Sequence, residues 1–163
     1  MIRIFIRKLK ENEDAHAASR ELLREILGDL PLAFGPHGKP YDERGRVFFN
    51  LSHCAGAVGL AVAEQEVGLD LEPKERSVKR ITFTSKEEKA IPPLTLWVLK
   101  ESYVKWSGEG ISVIRGTNIA PMGENRYKGR YNGKEAALIT FETDRLIGAL
   151  ACKEIEKYEI KEM

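Results

Sequence analysis

Two acidic residues set two positions apart, Asp70 and Glu72 in Gly68-Leu69-Asp70-Leu71-Glu72, are the first candidates for chemistry. On a strand they point to the same face, with Leu69 and Leu71 packing behind them. Two carboxylates so close repel each other unless something neutralises them. A hard divalent cation does so, and Mg²⁺ takes a few carboxylates together with substrate phosphates. The alternative is an edge strand with a solvated acidic face. A second set lies in the run from Trp97 to Lys105, where Glu101 and Lys105 are four apart and share one face of a predicted helix, with Lys100 adjacent. They read either as a solubilising ion pair, worth a few tenths of a kcal/mol, or as a further carboxylate ligand or base beside a phosphate-binding lysine. Ser52 and His53 fall where a predicted strand meets a turn, a usual place for ligand contacts. A lone histidine is more often a hydrogen-bonded structural residue than a ligand. Lys39, in Gly38-Lys39-Pro40-Tyr41, is a loop cation held by a rigid neighbour.

The elements that must position these residues follow from periodicity. Ile2, Ile4 and Ile6, set against Arg3 and Arg7, predict a strand over residues 2–9 with one buried face. Asn12-Glu13-Asp14 opens a helix that turns Leu22, Leu23, Ile26 and Leu27 inward and stops at Gly28. Residues 31–46, rich in proline, glycine and charge, read as a loop. Strands are predicted at Val47–Leu51, Ala57–Ala63 and Val67–Leu71. Ser85 with Glu88 has the spacing of a capping box for a short helix, broken by Pro92-Pro93. A second helix runs from about Leu94 to Ser107, and Leu96, Leu99, Tyr103 and Trp106 form its buried stripe. Asn132-Gly133 joins two strands as a hairpin, Leu146–Cys152 is a last strand, and the charged tail from Lys153 frays. The fold class is α+β. The expectation is two similar halves, about 1–72 and 73–163, related by a pseudo-two-fold. Each would pack a helix on a small antiparallel sheet within a single domain.

Bulk properties exclude several classes. The chain has 163 residues, 42% hydrophobic and 31% charged, which suits a globular domain with a proper core. A net charge of +1 gives no global field for nucleic acid or a membrane surface, so any anion site is local. Two isolated cysteines, Cys54 and Cys152, make neither a disulfide scaffold nor a zinc site and read as reduced thiols. The N-terminus is too short and charged for a signal peptide, and no apolar run nears the ~20 residues of a membrane helix. The expected location is the cytoplasm. Walker, dinucleotide and serine-hydrolase signatures are missing.

Taken in order, Gly-Lys-Pro-Tyr, Phe49-Asn50-Leu51-Ser52-His53, Gly-Leu-Asp-Leu-Glu, Trp-x-x-Lys-Glu-Ser-x-x-Lys and Gly108-x-Gly110 resemble the 4'-phosphopantetheinyl transferase family, in its Sfp-type branch. The likeness runs from about Arg20 to Ser112. It implies that Asp70, Glu72 and Glu101 hold Mg²⁺ across the coenzyme A pyrophosphate. Lys105 would contact that pyrophosphate, while Lys39, Ser52, His53 and Arg20 would hold the adenosine end and its phosphates. The implied reaction moves phosphopantetheine from coenzyme A to a serine of an apo acyl or peptidyl carrier protein and releases adenosine 3',5'-bisphosphate. The carriers of fatty-acid, polyketide and peptide synthesis all qualify. Mg²⁺ and Lys105 would stabilise the developing charge, with Asp70 as a ligand. Glu101, directly or through a water, would take the serine proton.

The chain departs from the branch in being short, chiefly at the N-terminus and around Ala90–Pro93. Cys54 also stands where a small polar residue is usual in the family. Because all elements follow one another in one chain, a monomer with its site between the halves is expected. Two other functions compete with transfer. A non-catalytic binder of coenzyme A or carrier would have little reason to keep Asp70, Glu72, Glu101 and Lys105. A Mg²⁺-dependent phosphohydrolase lacks a residue clearly placed to activate water.

Overall fold

A computed structural model describes residues 1–79 and 83–163, with all of their side chains except that of Glu87. The protein is α+β. Strand β1 (Ile2–Lys8) leads to helix α1 (Ala15–Leu27), then a hairpin of β2 (Leu32–Phe34) and β3 (Pro40–Asp42). Three longer strands follow: β4 (Phe48–Cys54), β5 (Ala57–Ala63) and β6 (Val67–Pro73). A 3₁₀ turn (Glu87–Ala90), helix α2 (Pro93–Ser107) and a second 3₁₀ turn (Ile111–Arg115) precede the meander. That meander is β7 (Asn118–Gly123), β8 (Arg126–Tyr131), β9 (Lys134–Glu142) and β10 (Leu146–Cys152), and β11 (Tyr158–Glu162) ends the chain. Among the described residues no helix is long and apolar enough to cross a membrane.

The strands form two principal sheets, ordered β11-β1-β5-β4 and β6-β10-β9-β8-β7. β5 and β10 are buried along their whole length, which accounts for their nearly unbroken apolar sequences. On β5 the two faces differ in size. Val58, Leu60 and Val62 pack with Phe5 under Leu22 and Leu23 of α1. The opposite face carries only Ala57, Gly59, Ala61 and Ala63, and this lets Leu69 and Leu71 of β6 come in close. A methyl group at Gly59 would lie 2.4 Å from Leu71 Cδ1. The α2 stripe of Leu96, Leu99, Tyr103 and Trp106 is buried as its spacing predicts. Gly108 caps the helix in the left-handed region at φ 70°. Asn132 and Gly133, at φ 47° and 78°, turn the predicted hairpin.

Several expectations need correction. Residues 31–46 are not all loop, because Leu32–Phe34 and Pro40–Asp42 pair as a hairpin. β4 continues to Cys54, so Ser52 and His53 lie within the strand and not at its end. The capping box is not made: Ser85 Oγ is buried without a hydrogen-bond partner among the described residues, and the short helix is a 3₁₀ turn. The tail does not fray, since β11 pairs in parallel with β1 from Ile2↔Tyr158 to Ile6↔Glu162. That pairing also makes the first sheet mixed instead of antiparallel. The helix-capping residue of α1 is Asp14, whose carboxylate accepts from Ala17 N at 2.6 Å, while Asn12 turns at φ 59°.

Candidate active site

The candidate residues gather along the seam where β4, the edge of one sheet, runs beside β6, the edge of the other. No ladder joins the two strands. Side chains take its place: Asn50 Oδ1 accepts from Leu69 N at 2.8 Å, and Ser52 Oγ accepts from Leu71 N at 3.1 Å. Both acceptors are buried, and each satisfies a backbone donor that an edge strand would otherwise strand away from water. The seam therefore places Asp70, between Leu69 and Leu71, under α2.

α2 sits on β6 at backbone contact because position 68 has no side chain. A methyl group there would meet Ser102 O at 2.1 Å and Trp106 N at 2.4 Å. This close approach brings Lys105 onto the strand. Its Nζ donates to Asp70 Oδ1 at 2.8 Å, to Leu69 O at 3.0 Å and to Ser52 Oγ at 3.2 Å. Glu72 lies one step further along the strand. Its Oε1 accepts from Arg76 and, at 3.4 Å, from Trp97 Nε1, and the Arg76 guanidinium stacks 5.3 Å from the Trp97 ring.

Electrostatics sets this seam apart from an ordinary ion-pair network. Asp70 is 5% exposed, and its Oδ2 is buried with no hydrogen-bond partner among the described residues. Burial pushes its pKa up to about 6 despite the Lys105 charge. Burial, reinforced by the Asp70 charge, pushes Glu101 up to about 7. Asp70 and Glu101 thus lie near each other where burial disfavours the charge on both, while Glu72 is held by Arg76 and Trp97. The donor set fits a hard cation in type, and Asp70 Oδ2 is an acceptor in it without a hydrogen-bond partner among the described residues. Among the described residues no three of His, Cys, Asp and Glu converge on one point as they stand, and Arg76 and Lys105 hold two of the carboxylates instead.

The remaining candidates divide between two flanks. Lys39, at the tip of the β2–β3 hairpin, donates to Val67 O at 3.2 Å and to Glu66 Oε2 at 2.9 Å. It shares a cavity of about 290 Å³ with Lys105, Asn50 and the loop at Gly108 and Gly110. Gly110, at φ 83°, is required there, because a Cβ would press on His37 Nδ1 at 2.8 Å. On the other flank His53 meets His16 of α1 edge to face, ring centres 4.8 Å apart. Desolvation, the His16 ring and the Lys105 charge all lower its pKa. Arg20 is exposed one helical turn after His16, and the structure does not bring it to the seam residues. Lys100 is not on the Glu101–Lys105 face: it points into the core and pairs with Glu88 at 3.1 Å. Sequence reasoning missed His16 and Arg76. The available signals were four-residue spacings, His16 to Arg20 and Glu72 to Arg76, and such spacings are common on any surface.

Carboxylates on β6 beside Glu101 and Lys105 of α2, with Lys39 and Lys105 on the adjoining cavity, give this α+β protein a site whose composition suits phosphorylated groups. No family model matches the chain. It is 33% identical over 138 residues to a protein of Synechocystis sp. (strain ATCC 27184 / PCC 6803 / Kazusa) that is provisionally named a 4'-phosphopantetheinyl transferase. The match covers 70% of this chain and 55% of that relative, so the chain spans about half the relative's length. With the motifs gathered at the seam, this likeness places the chain in the 4'-phosphopantetheinyl transferase family.

Proposed function

We propose that the protein transfers the 4'-phosphopantetheine group of coenzyme A to a serine of an apo carrier protein, as a member of the Sfp-type branch acting as a cytoplasmic monomer. Adenosine 3',5'-bisphosphate is the second product. The observation that carries this reading is the buried, under-neutralised seam: Asp70 with an unpartnered oxygen, Glu101 raised to about 7, and Lys105 spanning Asp70 and Ser52.

Each residue's part follows from its surroundings. Asp70, Glu72 and Glu101 are the residues that would hold Mg²⁺. The chemistry such an ion supplies is neutralisation of phosphate charge. Lys105 already reaches across the seam and offers its ammonium to the pyrophosphate. Lys39 lines the cavity beside it and suits the adenosine end, and His53 with His16 suits a phosphate on the α1 flank. Ser52 orients Lys105 and fixes β6, so its role is positioning as much as ligand contact. Arg20 stands outside this group and could reach only a ligand extending along α1.

The carrier serine oxygen bonds to the phosphorus that bears pantetheine, and the bridging P–O bond of the pyrophosphate breaks. The serine proton passes to Glu101, whose raised pKa suits a base working near neutrality. The bond electrons leave with adenosine 3',5'-bisphosphate. The pseudo-two-fold belongs to this same reading. The half before residue 73 lends β6 to the second sheet, and the half after it lends β11 to the first. The site then lies at the seam where the halves exchange strands, within one domain.

Chromatography of the nucleotide products tests the reading. Adenosine 3',5'-bisphosphate should appear only when coenzyme A, Mg²⁺ and an apo carrier are all present. Its release without carrier would point to the phosphohydrolase.

A further inference from the structure

β6 ends at Pro73, and the chain turns back at once. Arg76 N donates to Pro73 O at 3.0 Å and closes the turn Pro73-Lys74-Glu75-Arg76. The turn returns the Arg76 side chain to the strand it has just left. There the guanidinium donates to Glu72 Oε1 and lies 5.3 Å from the centre of the Trp97 ring. Trp97 Nε1 donates to the same oxygen at 3.4 Å.

Trp97, Glu101 and Lys105 follow at four-residue intervals on α2, so they share the face that meets β6. The outer two bond the strand carboxylates, Trp97 to Glu72 and Lys105 to Asp70. The two cations treat their partners differently. Lys105 leaves Asp70 Oδ2 without a partner among the described residues, whereas Glu72 Oε1 takes two donors. The charge of Arg76 also reaches past Glu72. Burial raises Asp70 and Glu101, and Arg76 is among the charges that oppose the rise at both. The Glu72 side chain is 12% exposed and that of Arg76 42%. Of the two, the arginine is the one that can swing into solvent while the carboxylate stays.

We propose that Arg76 is a positioning residue that holds Glu72 in reserve, so that a divalent cation takes up Glu72 only by displacing the guanidinium. The inference rests on the function proposed above. A guanidinium and a metal ion compete for the same carboxylate, and a positive charge left beside the site repels the ion. Coenzyme A changes that balance. Its phosphates give the released guanidinium a new partner, because the planar fork of arginine matches phosphate oxygens as well as carboxylate ones. The cation therefore loads together with coenzyme A and poorly before it.

Electron paramagnetic resonance of free Mn²⁺ tests this in titrations of the purified protein, with and without coenzyme A. Without coenzyme A, Arg76→Gln should bind Mn²⁺ about tenfold more tightly than wild type. Coenzyme A should then tighten Mn²⁺ binding by a correspondingly smaller factor in the variant. Lys74→Gln is the control. It removes the same charge from the same exposed turn, at a side chain paired with Glu142 at 2.9 Å, and should stay within about twofold of wild type. An Arg76→Gln affinity equal to or below wild type, or an equal gain in both variants, overturns the reserve role. A wild-type protein that takes no Mn²⁺ even with coenzyme A overturns the metal site of the proposed function, and the role of Arg76 with it.

Discussion

α2 carries two lysines five residues apart, and each meets a carboxylate, with opposite results. Lys100 and Glu88 are 2% and 0% exposed, and the pair is fully satisfied. Glu88 also accepts from Thr84 N at 2.6 Å, from Thr84 Oγ1 at 2.7 Å and from Ile119 N at 2.7 Å, binding the 3₁₀ turn, α2 and β7 into one unit. The side chains of Lys105 and Asp70 are 29% and 7% exposed, and the pair leaves Asp70 Oδ2 with no hydrogen-bond partner among the described residues. A buried ion pair with every oxygen used can only hold structure. One with an oxygen left over, beside another raised carboxyl, can take up a ligand.

Breaking the second pair should cost function and spare the fold. Asp70→Ala should lower the transfer rate by about 10³-fold or more, by loss of charge stabilisation at the phosphates, with an unchanged circular dichroism spectrum. A variant that transfers at the wild-type rate would remove Asp70 from the site. Breaking the first pair should do the reverse. Glu88→Ala leaves Lys100 buried without its carboxylate and should cost about 3–5 kcal/mol in urea unfolding. A loss under about 1 kcal/mol would mean that the pair locks nothing.

The pH dependence of stability sharpens the contrast. Asp70 and Glu101 have folded-state pKa values above their ordinary ones, about 6 and about 7. The folded protein therefore holds more protons than the unfolded chain between roughly pH 4 and 7. Stability is complete below the unfolded values and is lost as pH rises through the folded ones, by about 3 kcal/mol from Asp70 alone. Melting temperatures measured without Mg²⁺ should fall from pH 4.5 to 7.5, and Asp70→Asn should flatten the curve. Added Mg²⁺ should recover most of the loss at pH 7.5, because it binds the ionised form. The smallest effect is kinetic. Lys105→Ala should raise the KM for coenzyme A about tenfold, with a lesser change in kcat, if the ammonium serves the pyrophosphate as proposed. An unchanged KM would end its role as a phosphate contact.

Local patterns made much of this legible in the sequence. β5 and β10 were readable to the residue because an apolar run of seven is a local signal. The α2 stripe and the Asn132-Gly133 turn were readable for the same reason. What escaped was made over distance. The β2–β3 hairpin is two strands of three residues, too short to show a period, joined by a proline- and glycine-rich stretch that reads as loop. β11 exists because β1, more than 150 residues earlier, offers it an edge. Asp70 and Glu101 were identifiable as candidates, but the bonds around them span 19 to 53 residues of sequence. Lys100 shows the limit most clearly. It is adjacent to a site residue in sequence and faces the core instead of the seam, because α2 turns about 100° per residue.

The most direct test of the account is intact-mass spectrometry of an apo carrier protein incubated with this protein, coenzyme A and Mg²⁺, beside an EDTA control. A mass gain of one phosphopantetheine, absent with EDTA and absent with Asp70→Ala, is the predicted result. An unmodified carrier under all conditions, across fatty-acid, polyketide and peptide-synthetase carriers, from a protein that still binds coenzyme A, would contradict transfer and leave a binding protein.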